Sequence, residues 1–429
     1  MYLIKKYKHG VALLLALLSL NQPVNSQESR SWPWLYEPTR VLELHLEIAP
    51  ADWDVIRLDQ TNSIKVPARL SVTNDEAIPP VEVEVRRKSS RALPDEIDPR
   101  KIGMKVDIKS GLWLGVKKLS LENGSDASPL KEGLAWLLHE IASPQGYHAA
   151  LAAWVTVSVN GELLGAYVNA EQRDKQFLRN RELYDAQTTW MYKQDDIGLM
   201  ERDVAPTEEL SDLRYNSPAF TELCQSPFQP APSGGGGKGG RKGASTASTC
   251  PSLSDSQLLD QLDRLIDMSA MLRQGAVDAF TDNGDALFTQ GKNFFVVDFS
   301  ASRNLKRLYY PWDLDGVFRS TTSGIYGIVG KRGSVTQTPY QSIILNHAIY
   351  RSQFNVQLSS LIADDGPFGE SNLEGLLDRL APSVLPALES DPYQSADIND
   401  FIAMKNWFAA RRKSIASQII KDGPPSPRP

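Results

Sequence analysis

The feature that most constrains the fold is a β-hairpin signal in the middle of the chain. Two apolar stretches of strand length, Ala152 to Val159 and Leu163 to Ala170, flank the dipeptide Asn160-Gly161. Asn-Gly adopts the left-handed conformations of a type I′ turn, and this turn matches the twist of two paired strands. The sequence therefore predicts an antiparallel hairpin here, and any fold of the chain must contain a sheet.

Strands dominate the chain before the hairpin, and helices dominate it afterwards. Alternating or apolar runs predict strands at 40–48, 64–72, 81–87, 101–108 and 116–121. A short helix that opens at Pro50 and a longer one interrupt them, and the longer helix has Ser128 as N-cap and Pro129 as its first residue. Later helical periodicity predicts helices at 258–279, 340–361, 372–388 and 396–420. We expect an α+β fold with two lobes, a β-rich N-terminal lobe at 40–175 and a mainly helical C-terminal lobe at 176–422.

A carboxylate-rich stretch at 282–318 is the strongest indication of function. An acidic N-G-D loop precedes a short apolar strand, and a second strand ends in W-D-L-D-G. Because side chains alternate along a strand, Asp313 and Asp315 are expected on one face. Two such carboxylates repel each other unless a cation lies between them, so a hard divalent metal is the expected partner. The alternative is a carboxylate pair bridged by an arginine such as Arg86 or Arg87.

The first residues predict export. Lys5, Lys6 and Lys8 precede an uncharged apolar run at 11–20 that is too short to span a bilayer. This is the layout of a secretory signal peptide, with cleavage expected after Ser26. The mature protein would then be secreted, periplasmic or on the cell surface, and a retained N-terminal anchor is the alternative.

Composition narrows the classes of partner. The net charge of −6 argues against a nucleic-acid binder, which usually carries a basic face. No later stretch is apolar for long enough to form a transmembrane segment. The motif G-x-S-x-G is absent, so the sequence gives no support for a serine hydrolase.

Three short segments, two flanking the lobes and one inside the C-terminal lobe, are expected to be linkers or disordered. Residues 27–39 form an N-terminal linker, 230–249 a disordered Gly/Ser-rich insert and 423–429 a disordered tail. Cys224 and Cys250 flank the insert, and in an oxidising compartment a disulfide between them is the simplest interpretation. Two unpaired thiols are the alternative.

Kinase-type phosphoryl transfer needs a lysine for the phosphates, an orienting aspartate, and an asparagine and aspartate for magnesium. The chain supplies these residue types in order, although it lacks the G-x-G-x-x-G, H-R-D and D-F-G motifs. Several segments resemble the CotH kinase family, which comprises spore coat protein H and related secreted kinase-like proteins. They lie at 86–91, 101–106, 121–135, 157–172, 191–193 and 283–315. The N-G-x-x-x-G-x-Y-x-x-x-E hairpin and the W-D-x-D strand are the specific parts.

The resemblance implies an atypical protein-kinase-like fold and assigns roles to individual residues. Lys101 would contact the nucleotide phosphates, with Lys105 as the competing candidate, and Glu171 would contact the base or ribose at the hinge. Solvated strand lysines and a surface glutamate are the alternatives for these three.

The same resemblance assigns the acidic stretch. Asp285 would orient or deprotonate the acceptor hydroxyl, whereas its alternative is a turn-forming residue. Asn293, Asp313 and Asp315 would hold magnesium, and Asn293 could instead cap the start of the strand.

Together these roles predict that the protein is an exported kinase. It would transfer phosphate from ATP to Ser or Thr of an extracytoplasmic, Ser/Thr-rich protein, with Mg (or Mn) as the metal. The glycine of the family's arginine-glycine-serine turn is missing from R-R-K-S-S-R at 86–91. A catalytically inactive pseudokinase that acts as a surface or matrix binding protein is therefore the alternative function. A kinase for a sugar or other small molecule is a third.

Overall fold

The computed structural model describes residues 30–88, 99–125, 127–143, 149–194, 201–206, 217–223, 255–327 and 340–422. The predicted signal peptide, the Gly/Ser-rich insert, the Cys224–Cys250 disulfide and the C-terminal tail lie outside the described residues.

The described strands fall into two sheets. In chain order they are β1 (Leu42–Ile48), β2 (Val66–Val72), β3 (Val81–Arg87), β4 (Met104–Ile108), β5 (Lys118–Glu122), β6 (Ala152–Val159), β7 (Glu162–Glu171), β8 (Thr189–Gln194), β9 (Glu201–Val204), β10 (Phe294–Phe299) and β11 (Leu308–Pro311). The first seven form a closed barrel in the order β1-β2-β3-β4-β5-β7-β6. The others form a four-stranded sheet in the order β11-β10-β8-β9.

The predicted hairpin is confirmed and closes the barrel. β6 pairs with β7 across the Asn160-Gly161 turn, and both turn residues have positive φ. β7 also pairs with β5, while β6 pairs in parallel with β1, with Leu44 opposite Val157. The mostly antiparallel sheet expected from the sequence is therefore a barrel closed by one parallel pair, which leaves neither β1 nor β6 as an open edge. Its core includes Leu35 and Tyr36, from the segment expected to be a linker.

The described α-helices mostly follow the predicted positions, but the helix predicted from Tyr340 begins as a short π-helical turn at Gln341–Leu345 and is α-helical only from Ala348. They are α1 (Pro50–Leu58), α2 (Pro129–Ile141), α3 (Lys175–Asn180), α4 (Pro218–Glu222), α5 (Asp255–Leu265), α6 (Met268–Thr281), α7 (Ala348–Ile362), α8 (Glu370–Glu389) and α9 (Ile398–Asp422). The single helix predicted at 258–279 is two helices, because Ile266 pairs with Arg307 and Asp267 caps α6 through a bond to the Ala270 amide.

Helix α2 lies against the barrel and the helical part of the molecule at once. It begins as predicted with Pro129 at the first position, and Ser128 occupies the N-cap position, but its side chain makes no capping hydrogen bond. The face of Trp154 from β6 lies so close to Gly133 that a Cβ there would come within 2.4 Å of the ring. A second core, distinct from the barrel interior, contains α2, the four-stranded sheet and the later helices. Within the described ranges, none of the helices has the length and apolar character needed to cross a bilayer.

Candidate functional site

The two aspartates of W-D-L-D-G lie on a turn, not on a strand. β11 ends at Pro311, Asp313 has a left-handed φ of 55°, and residues 314–316 form a turn. Asn293, just before β10, is also left-handed at φ 58°, and its carbonyl accepts the last bond of the ladder from the Trp312 amide at 2.9 Å. Asn and Asp are enriched in this conformation, so the strand-face argument for the aspartates was wrong. Asp313 and Asp315 lie together because the chain turns after β11, and not because they share one face of a strand.

The acidic loop and this turn are joined directly. The Gly284 amide donates to the Gly316 carbonyl at 3.0 Å. The Asn283 side-chain oxygen accepts from the Asp285 amide at 3.1 Å, which fixes the loop. A Cβ on Gly316 would lie 3.7 Å from the Cβ of Asp285. The structure therefore brings Asp285 next to the segment that carries Asp313 and Asp315, as the sequence predicted.

A lysine that the sequence reasoning missed accompanies Asp285. The Lys292 ammonium lies 3.3 Å from Asp285 Oδ2, and both side chains are partly exposed. Lys292 directly precedes Asn293, so this loop presents a carboxylate, an ammonium and an amide within a short length of chain. Such a set can position a hydroxyl and balance negative charge beside it.

A second missed lysine lies between the barrel and the acidic turn. Lys88 follows β3, forms an ion pair with Glu122 of β5, and its ammonium lies 4.7 Å from the Trp312 ring centroid. Burial by itself lowers the pKa of Lys88, but the carboxylates of Glu122, Asp313 and Glu132 outweigh it and raise the pKa overall. The Lys88 ammonium therefore compensates the charge of Asp313, a role for which Arg86 or Arg87 was the predicted alternative.

Glu132 of α2 completes an acidic cluster around Lys88. Burial raises the pKa of Glu132 well above its usual range, and the charges of Glu122, Asp315 and Asp313 raise it further while Lys88 opposes them. Four carboxylates thus act on one another at short range. An additional cation in this cluster would relieve their repulsion.

A basic cavity of about 390 Å³ adjoins this cluster, between the barrel and the four-stranded sheet. Its cationic lining comes from β3, β4, β5, the segment after β7, and β8, namely Arg86, Lys105, Lys118, Arg173, Lys175 and Lys193. Asp174 and Asp203 are its acidic lining residues. The excess of positive charge suits a polyanion such as a chain of phosphates.

Lys105 is the predicted nucleotide contact that the structure places in this cavity. Burial, then the charges of Lys88, Arg86 and Lys193, lower the pKa of Lys105 to about 7. Near neutral pH its ammonium is therefore poorly compensated, and a bound anion would stabilise its charged form.

Trp312 connects the basic cavity to the acidic turn. The ring is buried, and four cations lie over it, with distances to its centroid of 4.6 Å for Arg173, 4.7 Å for Lys88, 5.4 Å for Lys193 and 5.7 Å for Lys105. Arg173 also donates to the Pro311 carbonyl at 2.8 Å. Because Trp312 directly precedes Asp313, the lysines and the acidic turn are held by one rigid aromatic side chain.

Two predicted nucleotide contacts lie in other environments. Lys101 is fully buried, and its ammonium binds Asp391 and, at 2.9 Å, the Gln394 side chain. Glu171 does end β7 as expected, but both of its oxygens are bonded to Arg181 at 2.6 and 2.9 Å. Each side chain is thus engaged in a buried ion pair that fastens the barrel, so neither is presented to a ligand. This burial also contradicts the alternative predictions, in which Lys101 is a solvated strand lysine and Glu171 a surface glutamate.

Asn293, Asp313 and Asp315 offer only oxygen ligands. Within the part of the chain that the structure describes, no group of three or more His, Cys, Asp or Glu side chains has metal-binding spacing. Magnesium does not require one, because it is commonly held by one or two carboxylates together with waters and substrate phosphates. Since the cluster around Lys88 carries more negative than positive charge, these residues fit a hard divalent cation.

Residues 96–415 match the family model described as CotH kinase protein. The match covers most of the chain, and the protein therefore belongs to the CotH kinase family. Membership indicates a kinase-like phosphotransferase that acts with a nucleotide on a protein substrate. Lys88 and Arg86 lie before the matched region. No curated protein matches the chain at a significant level.

Proposed function

We propose that the protein is an exported, magnesium-dependent kinase that transfers a phosphoryl group from ATP to Ser or Thr of an extracytoplasmic protein. The observation that carries this proposal is the position of Lys88, between the basic cavity and the acidic turn at Asp313. In this view the barrel with α2 and the helical part correspond to the two lobes of a protein kinase. The cavity and the turn then form the cleft between them.

In this proposal the cavity binds the nucleotide through charge. Lys105 and Lys88 contact the phosphates, and Glu122 and Glu132 fix the position of Lys88. Lys101 and Glu171 support the barrel through their ion pairs and contact no nucleotide.

The transfer step relies on positioning and charge. Asp285 accepts a hydrogen bond from the acceptor hydroxyl and orients it towards the terminal phosphate, and Lys292 balances the charge beside it. Asn293, Asp313 and Asp315 would hold magnesium, which supplies neutralisation of the charge that develops on the phosphate oxygens. The hydroxyl proton passes to Asp285 or to solvent as the phosphoryl group leaves ADP.

The direct test uses residues 27–429, labelled ATP, Mg or Mn, and a Ser-rich protein acceptor. We expect Asp285→Asn and Asp313→Asn each to lower kcat by about 10² or more, because each removes a charge that acts at the reacting groups. Asp378→Asn is the matched control, since its carboxylate is exposed and bonded to Lys405 on another surface.

Three outcomes separate the alternatives. Equal background signal from the wild type and Asp313→Asn would refute a kinase. Nucleotide binding without transfer would instead support a pseudokinase that functions by binding. Transfer to a metabolite and not to protein would indicate a small-molecule kinase.

A further inference from the structure

A buried carboxylate on α6 lies where three functional elements meet. Asp278 is almost completely buried, and it is placed outside the cavity and the acidic turn. Its two oxygens contact a residue from α2, one from the acidic loop and one from β11. Helix α2 carries Glu132, the acidic loop carries Asp285, and β11 leads into the turn with Asp313.

The contact with α2 is made by His139. Its Nδ1 lies 2.5 Å from Gln274 Oε1, and its Nε2 lies 3.3 Å from Asp278 Oδ1, in contact but without a hydrogen bond. His139 follows Glu132 by seven residues, which is close to two helical turns, so both side chains leave α2 on the same side. The imidazole is fully buried, and a shift of α2 along its axis would break this contact.

The contact with the acidic loop is made by Asn283. Its side-chain nitrogen donates to Asp278 Oδ1 at 2.9 Å, and its amide donates to the Asp278 carbonyl at 2.9 Å. The side-chain oxygen of Asn283 accepts from the Asp285 amide at 3.1 Å. One residue thus transmits the position of Asp278 to the backbone of Asp285.

The contact with β11 is made by Tyr309. Its hydroxyl donates to Asp278 Oδ2 at 3.3 Å, and β11 ends two residues later at Pro311, where the chain enters the turn with Asp313. The bond from Gly284 to Gly316 joins the same turn to the loop. The carboxylate is therefore shared by the helix of Glu132, the loop of Asp285 and the strand that leads to Asp313.

We propose that Asp278 is a positioning residue, which holds α2, the Asp285 loop and the end of β11 in one fixed arrangement through His139, Asn283 and Tyr309. A buried carboxylate requires its two donors, Asn283 and Tyr309, to stay in place, because the loss of either leaves a buried acceptor unsatisfied, and the His139 ring packs against the same carboxylate. The three elements consequently move together or not at all. The kinetic part of this inference rests on the proposed function, whereas the coupling of the three elements does not.

The test compares Asp278→Asn with Asp298→Asn in residues 27–429. Asp298 is also a buried carboxylate, with two bonds of 2.7 Å to Arg307, but it lies near the far end of β10 from the acidic turn. Hydrogen–deuterium exchange is followed in peptides covering 282–287 and 313–318. We expect Asp278→Asn to speed exchange in both peptides about tenfold relative to Asp298→Asn.

Kinetics supply the second readout. We expect Asp278→Asn to lower kcat by about 10- to 100-fold while KM for ATP stays within about twofold, because the residue orients groups and touches no substrate. Asn283→Ala should have a similar effect, and the double variant should be little worse than either single variant, since both act through one contact.

The outcomes are distinguishable. Unchanged exchange in either peptide, or faster exchange with unchanged kcat, would overturn the positioning role. If the wild type transfers no phosphate but exchange still rises in both peptides, the coupling stands and the proposed function fails.

Discussion

Nucleotide binding should be accompanied by uptake of a proton at Lys105. In the free protein, burial and then the neighbouring charges of Lys88, Arg86 and Lys193 lower the pKa of Lys105 to about 7. Lys105 lines the basic cavity, so a bound chain of phosphates would add negative charge where the ammonium lacks it. A nearby anion favours the charged form of a lysine, and the pKa should return towards its ordinary value.

The size of the effect follows from the two pKa values. With a pKa of about 7, roughly a tenth of Lys105 is protonated at pH 8. With an ordinary pKa near 10.4, essentially all of it is protonated at the same pH. Binding should therefore take up about 0.9 proton per nucleotide at pH 8, and less as the pH is lowered through 7.

Calorimetry measures this uptake directly. ATP is titrated into the protein at pH 8 in two buffers with different ionisation enthalpies, with EDTA present so that no metal displaces protons from the carboxylates. Lys105→Met should lose most of the uptake. Lys118→Met is the matched control, because it removes another lysine of the cavity and leaves Lys105 intact. Equal proton uptake by wild type and Lys105→Met would refute the placement of Lys105 at the phosphates.

Three further predictions concern stability. In the free protein, Lys105→Met should raise the free energy of unfolding by up to about 5 kcal/mol below pH 7. The gain should fade as the pH rises from 7 to 10.5, because a lowered lysine pKa destabilises the folded state only at pH values where the lysine is charged in the unfolded state. Urea unfolding at several pH values measures this dependence. Glu132→Gln should increase the free energy of unfolding at neutral pH and abolish phosphoryl transfer. The increase in stability should be lost below about pH 4.5, where the glutamate is protonated in both the folded and the unfolded state. Thermal unfolding and the transfer assay, run on the same variant, measure the two effects separately. Gly133→Ala should cost about 1–3 kcal/mol, because its Cβ would meet the Trp154 ring, and a stability equal to wild type in urea unfolding would contradict the packing described.

Much of the local structure could be predicted from local patterns. The hairpin at Asn160-Gly161 and the start of α2 at Pro129 were correct because turn chemistry and the preference of proline for the first helical position act over a few residues. The long helix predicted at 258–279 was wrong at Asp267, since pairing of the preceding Ile266 with the distant Arg307 interrupts it. Tertiary pairing overrode helical periodicity there.

Some residues of the candidate site were predicted from the sequence and others were missed, and the difference has a physical cause. Asp285 and Asp313 were assigned to one site because both lie in the acidic stretch that resembles the family, and in the structure the bond from Gly284 to Gly316 joins their loop and turn. Glu132 and Lys88 were missed because a glutamate in a helix and a lysine after a strand carry no local sign of burial beside each other. The only signal was that both stand inside segments used for the family resemblance.

The sequence by itself determined the alternation of strands and helices, the hairpin, the family and the acidic stretch, because each depends on residues that are neighbours along the chain. Only the tertiary structure decided which charges meet. The segment after α8 packs on the barrel and buries Lys101 against Asp391, and the end of α3 buries Glu171 against Arg181, while Lys105 lies in the cavity. Two lysines of the same short segment thus have opposite surroundings. The partner of Lys101 lies 290 residues away in sequence, and the burial that decides the chemistry of each charge exists only once the elements pack.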